Sequence, residues 1–218
     1  MSFMKIEFFI AYASTVSVIV PLALAIYQAK HLKSYSRLIL ILLLFSLLAD
    51  GLSYFLSRRA INTNWIVNYY LLIQFSLFGM IYLIELKRPR FLMLIALVFV
   101  PYFVIGTMFF YGLFDFNTHA NSIAGLILVG ISIYYLYHLL KELQVDNIAK
   151  VPMFWISFAV LCYYGGTLVL FLLNNLTADN YPNSHRMYWT FHNICNILKN
   201  ILLAVGLWQS YRNLKQSL

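Results

Sequence analysis

"SRLILILLLFSLLADGLSYFLS", residues 36–57, decides the fold. Its 22 residues carry one base at the edge, Arg37, and one acid inside, Asp50. At about 1.5 Å rise per residue a helix of this length is roughly 33 Å long, enough for a bilayer core of about 30 Å. The rest of the chain repeats the pattern. It has 218 residues, 62% hydrophobic, 18% aromatic and 10% charged, with mean hydropathy +0.79. A soluble domain would carry about 25% charged residues, so the solvent implied is lipid.

Seven apolar segments are long enough to span, at 6–29, 36–57, 65–86, 91–112, 119–140, 152–174 and 187–209. Lipid cannot satisfy open backbone groups, so each is expected to be a helix. The expectation is therefore an all-α integral membrane protein: one domain, residues 1–218, folded as a seven-transmembrane-helix bundle. The first segment is long and lacks a small-residue cleavage site, so it is expected to stay in place as a span. Short links such as "ELKRPR" make neighbours antiparallel, and "NNLTADNYPNSHR" at 174–186 is expected to be a loop. It contains "NLT", a glycosylation acceptor pattern. Pro21 and Pro101 are expected to kink the first and fourth helices, and Pro152 to open the sixth.

The net charge of +8 does not indicate nucleic acid, because the bases lie singly or in small groups between apolar segments. They read as topology signals. Lys30, Lys33, Arg37, Lys87, Arg88, Arg90, Lys141, Lys150, Arg212 and Lys215 share one side; Lys5, Arg58, Arg59 and Arg186 share the other. Ten against four puts the C-terminus in the cytoplasm and the N-terminus outside. Trp65 and Trp189 then fall near the outer boundary, Trp155 and Trp208 near the inner. Cys162 and Cys195 lie within apolar segments without metal-ligand spacing, so neither a framework disulfide, a metal nor a cofactor is expected.

The last segment contains "FHNICNILKN" at 191–200. With His192 at zero and about 100° per residue, Lys199 falls near −20°, His185 near 20°, Asn196 near 40°, Trp189 near 60°, Asn200 near 80° and Asn193 near 100°. The polar residues share one arc, and Ile194, Ile197, Leu198, Ile201, Val205 and Trp208 lie away from it. Amides and a lysine facing lipid cost several kcal/mol, so this arc is expected to face the bundle interior.

Lys199 sits about 15 Å from the inner boundary and Asp50 about 21 Å. Asp50 shares a face with Ser46, Ser53, Tyr54 and Ser57, and it is the one acid deep in a span. Either charge alone is costly, so the second and seventh segments are expected to touch and bring the two within a water-bridged distance. Gln74 on the third segment, with Asn68 and Tyr69 on other faces, is a weaker candidate for the same cavity. Ser122 and Ser132 are expected to bond their own helix. Tyr163 and Tyr164 carry hydroxyls that need partners, and Gly165-Gly166 permits close approach. The candidate cavity set is Asp50, Gln74, Tyr163, Tyr164, His192, Asn193, Asn196, Lys199 and Asn200. Each amide has an alternative reading as interhelical glue.

The mid-span lysine suggests retinal-binding rhodopsins, but Cys195 stands one turn before it and the third segment holds Gln74 in place of an acidic counter-ion. His185 and His192 are too far apart for simple chelation of zinc. "FWISFAVLCYYGGTLVLFLLNN" at 154–175 and "YWTFHNICNILKNILLAVGLW" at 188–208 resemble an uncharacterised group of small bacterial seven-helix membrane proteins, often encoded beside sensor histidine kinases. The resemblance implies a bacterial inner-membrane protein with a sensory or accessory role and output through a partner such as a kinase. It implies no catalytic residues. The residues themselves leave three readings open: a sensor with a ligand cavity, a small-solute transporter, or a lipid-active enzyme using Asp50 or His192 as base.

Overall fold

The computed structural model describes the backbone of residues 2–29, 33–86, 89–112, 114–141, 147–180 and 182–217. Within these, the side chains of 2–5, 89, 91–92, 108, 110–111, 171–180, 182–186 and 217 lie outside the described residues. The elements are α1 (Ser2–Ser17), α2 (Ile19–Tyr27), α3 (Ser34–Ser57), α4 (Asn64–Leu86), α5 (Pro89–Ile105), α6 (Thr118–Lys141), α7 (Pro152–Asn180) and α8 (Pro182–Ser217). Among the described residues there is no strand.

Among the described residues, five stretches are long and apolar enough to cross a membrane: Ile6–Tyr27, Ser34–Ser57, Asn64–Leu86, Thr118–Lys141 and Pro152–Leu170. A shorter apolar helix covers Met93–Ile105. The last helix, α8, is 36 residues long, but its amides, histidine and lysine dilute its apolar character. Large apolar side chains cover the outside, including Phe9, Leu48, Leu97, Phe109 and Ile201. A water-soluble monomer does not expose such continuous apolar surface. The chain is a multi-pass helical membrane protein.

The helices close a ring. In packing order it runs α1/α2, α3, α4, α6, α7, α8 and back to α1/α2, while α5 packs outside against α4. The α7–α8 contact is the most extensive. Two glycines allow it. A Cβ on Gly166 would stand 2.8 Å from Cys195 Sγ, and one on Gly206 would stand 3.0 Å from Ile156 Cγ1 and 3.2 Å from the Pro152 carbonyl. Gly165 has nothing within 4 Å, so only the second glycine of the pair serves close approach.

The prolines act as their missing N–H dictates. The first span divides at Val18, three residues before Pro21, into α1 and α2. Pro101 lies inside α5, which then relaxes into a π-helical turn at Gly106–Tyr111. The turn ends at Gly112, whose φ of +74° is a conformation glycine adopts without strain.

The segment 174–186 is not the expected loop. The backbone stays helical to Asn180 and is helical again from Pro182. Polar residues end a membrane span, but nothing in Asn, Asp or Ser forbids a helix from projecting into water. Pro182 sits at a first helical position, where its missing N–H costs nothing. The "NLT" pattern therefore lies on helical backbone, and the side chains of His185 and Arg186 lie outside the described residues.

Candidate functional site

Within the ring lies a cavity of about 260 Å³. Helix α3 contributes Ser46, Asp50 and Ser53; α4 contributes Tyr70 and Gln74; α7 contributes Tyr163 and Tyr164. Helix α8 contributes Trp189, His192, Asn193, Asn196 and Lys199. Eight of the nine candidate residues thus meet in one place. The ninth, Asn200, does not line the cavity.

The reason is a pair of hydrogen bonds. Asn200 Nδ2 donates to Ser17 Oγ at 2.8 Å, and Asn196 Nδ2 donates to Ser14 Oγ at 2.9 Å. Ser14 and Ser17 lie three apart, on one face of α1, and Asn196 and Asn200 four apart, on one face of α8. Ser17 in turn donates to the Ser14 carbonyl at 2.6 Å. This latch fastens α8 to α1. Asn200 is thereby an interhelical clamp rather than a cavity residue, and Asn196 serves both.

Lys199 is only 3% exposed and its Nζ stands 4.3 Å above the centre of the Tyr163 ring. The ring face supplies negative potential to the ammonium. Asp50 lines the same cavity, close enough for the two charges to act on each other, but no direct ion pair joins them among the described residues. The α3 and α8 backbones approach each other only locally. The two helices do touch, as expected, but not at the charged pair. They meet away from the cavity, where Tyr35 OH and Ser210 Oγ lie 3.0 Å apart and Ser36 Oγ reaches the same serine at 3.5 Å.

Two residues of the cavity wall bury a polar group without a hydrogen-bond partner among the described residues. The groups are Gln74 Nε2, on a side chain 3% exposed, and Tyr164 OH, on one 1% exposed. His192 packs edge-on between Tyr163 and Trp189, at ring separations of 5.6 and 5.1 Å. Tyr70 and Ser46 line the same cavity as Asp50. Of the weaker candidates, Asn68 is buried and Tyr69 exposed.

The end nearest the α3–α4 and α5–α6 connections is shaped by an asparagine network. Asn62 and Asn64 Nδ2 donate to the Phe114 carbonyl at 2.9 and 3.1 Å, and Asn68 Nδ2 to the Asp115 carbonyl at 2.9 Å. Asn117 N donates to Asn68 Oδ1 at 3.2 Å, and Asn117 Nδ2 to Thr107 Oγ1 at 3.2 Å. Asn117 Oδ1 accepts from Ala120 N at 2.9 Å, which caps α6. The network holds Phe116 at the cavity wall, edge-to-face with Trp189 at 6.1 Å.

Sequence reading missed Tyr70, Thr63, Phe116 and Asn121 among the lining residues, and the two serines of the latch. Ser14 and Ser17, small hydroxyls three apart before a proline, were the available signal. Ser122 and Thr167 bond only their own helices, to the Thr118 and Tyr163 carbonyls at 2.8 Å. Ser132 does so at 2.7 Å and also meets Tyr82 OH at 2.8 Å, joining α4 to α6. Both cysteines are free thiols.

No protein-family model, no curated protein and no solved structure matches the chain. The class is defined by fold and site together: a helical multi-pass membrane protein with a charged and amide-lined cavity inside its ring.

Proposed function

We propose that the chain is a seven-span sensor or signalling accessory of a bacterial inner membrane, with the N-terminus outside and the C-terminus cytoplasmic. Helix α5, with its π turn, and α8 complete the count of spans. The polar residues that dilute α8 are the ones turned away from lipid, while Ile194, Leu198, Ile201 and Trp208 are exposed. The basic residues gather ten to four at the opposite ends from the asparagine network, which makes that network the outer end.

The observation that supports a sensor is a cavity whose lining reaches one end of the bundle and stops short of the other. Its lining reaches Thr63, Phe116 and Trp189 toward the outer end. Toward the other end the lining stops near Ser46 and Lys199, and the Tyr35–Ser210 and Tyr82–Ser132 hydrogen bonds lie beyond it. A ligand entering from outside would bias the packing of α3 against α8, and a membrane partner such as a sensor histidine kinase would read that shift.

The test is thiol labelling. In a Cys162→Ala, Cys195→Ala background, Ser53→Cys is expected to react with a membrane-impermeant maleimide added outside, and Ser46→Cys not to react when the reagent is added only inside. Labelling of either from both faces would demonstrate a through-path and replace the sensor with a transporter.

A further inference from the structure

We infer that the occupant of this cavity is a small zwitterion, with its anionic group on Lys199 and its ammonium on Asp50. The inference deepens the receptor reading above and rests on it.

The charges set the ligand class. One ammonium and one carboxylate line the same cavity, and no direct ion pair joins them among the described residues. Uncompensated charges deep in a membrane are costly, so a pair of them held apart is an unusual arrangement. A solute carrying both charges would bridge them and leave the cavity net neutral. A purely anionic or cationic solute would satisfy one side chain and leave the other exposed to low dielectric.

The neutral groups set its orientation. Lys199 offers three N–H donors, and the Tyr163 ring engages only one direction from it. The remaining ammonium donors are what a carboxylate or phosphate accepts from. Around Asp50 stand the hydroxyls of Ser46, Ser53 and Tyr70, groups that accept from an ammonium. The volume, about 260 Å³, lies below the roughly 300–1,000 Å³ of drug-sized sites, so the ligand is small. Two sources share this chemistry: a free amino-acid-like solute, or the headgroup of an ethanolamine lipid.

The experiment uses the full chain in detergent and in nanodiscs. Glycine, β-alanine and γ-aminobutyrate are titrated as zwitterions of increasing charge separation, against acetate and methylammonium as single charges, by calorimetry and thermal shift. Phosphatidylcholine nanodiscs with and without phosphatidylethanolamine provide the lipid arm. One zwitterion is expected to bind at least tenfold more tightly than either single charge. If the headgroup is the natural occupant, phosphatidylethanolamine raises Tm instead, and either result supports the assignment. In both cases Lys199→Met and Asp50→Asn each weaken the effect at least tenfold, while Ser17→Ala, outside the cavity, leaves it unchanged. Lys199→Arg and Asp50→Glu, which keep each charge but move it, are expected to change which of the three zwitterions binds best, and serve if a charge-removing variant fails to fold. Acetate or methylammonium binding as tightly as every zwitterion would overturn the inference. So would the absence of binding in both arms, or affinity indifferent to Lys199 and Asp50. Acetate bound as tightly as every zwitterion, and lost in Lys199→Met, would sink the zwitterion and leave the receptor standing, whereas two-sided labelling of Ser53→Cys removes the receptor itself.

Discussion

The same chemical change should have opposite signs at two positions. Asn200→Leu and Gln74→Met each replace a buried amide by an apolar side chain of similar size. Asn200 is 2% exposed and its Nδ2 is spent on Ser17 at 2.8 Å. Interhelical hydrogen bonds in membrane proteins contribute about 0.6 kcal/mol on average and at most about 1.7. Ser17 keeps its bond to the Ser14 carbonyl, so no orphan is added. The expected loss is about 1 kcal/mol. Gln74 is equally buried, but its Nε2 has no partner among the described residues. A buried unsatisfied group costs about 1–3 kcal/mol, and exchanging it for an apolar one removes that cost. Gln74→Met is therefore expected to stabilise the ligand-free protein by about 1 kcal/mol or more. The two variants should lie roughly 2–4 kcal/mol apart on these figures. Reversible unfolding in mixed micelles, followed by tryptophan fluorescence, reads the difference. If both variants lose stability by similar amounts, the division of the amides into clamp and cavity lining is wrong.

Gly206→Ala should destabilise although alanine is the better helix former by about 1 kcal/mol, because its Cβ meets the Pro152 carbonyl at 3.2 Å and Ile156 at 3.0 Å. Gly130→Ala, with nothing within 4 Å, should show the propensity gain alone, and equal gains from both in the same unfolding assay would refute the close approach of α7 and α8. Asn117→Ala removes the cap of α6 and the bridge to Thr107, with an expected loss of about 1–3 kcal/mol and faster proteolysis within 112–117. Unchanged cleavage would mean that the network does not hold that segment. Tyr82→Phe should cost under about 1 kcal/mol, since Ser132 keeps its bond to the Leu128 carbonyl, and a loss beyond about 2 kcal/mol would point to a larger role for that hydroxyl.

The apolar helices were legible because lipid leaves the backbone one solution, and 22 oily residues around Asp50 need no further context. The segment 174–186 was misread because its composition signals the end of the membrane, which is a different event from the end of the helix. The polar arc on α8 followed from spacing alone, and Lys199 and Asn200 are both buried. How the arc divides was not legible. The partners of Asn196 and Asn200 lie more than 180 residues away in sequence, and a serine in a span looks the same whether it back-bonds, clamps or does nothing. Nor could sequence tell that Gln74 Nε2 lacks a partner among the described residues, since satisfaction is a property of neighbours that only folding assembles. The position of α5 outside the ring was equally hidden: its apolar surface suits lipid and protein alike.

The hydrogen bonds that cross between helices say where the ring is fastened. Helix α8 is tied to α1 by two amides and to α3 by Ser210; α4 is tied to α6 by Tyr82 and Ser132. Across the cavity itself α3 sets Ser46, Asp50 and Ser53 in the same lining as five α8 side chains, Lys199 among them. Direct packing there would have removed the cost of two buried charges more cheaply, since apolar side chains of similar volume are often neutral or stabilising replacements for buried ions. A chain that fastens its helices with neutral amides and hydroxyls, and leaves its deep charges unjoined in a cavity, has the parts of a binding site rather than of a lock. What enters the cavity is then expected to draw α3 toward α8 about the Tyr35–Ser210 contact, and that displacement is the signal a neighbouring membrane protein would sense.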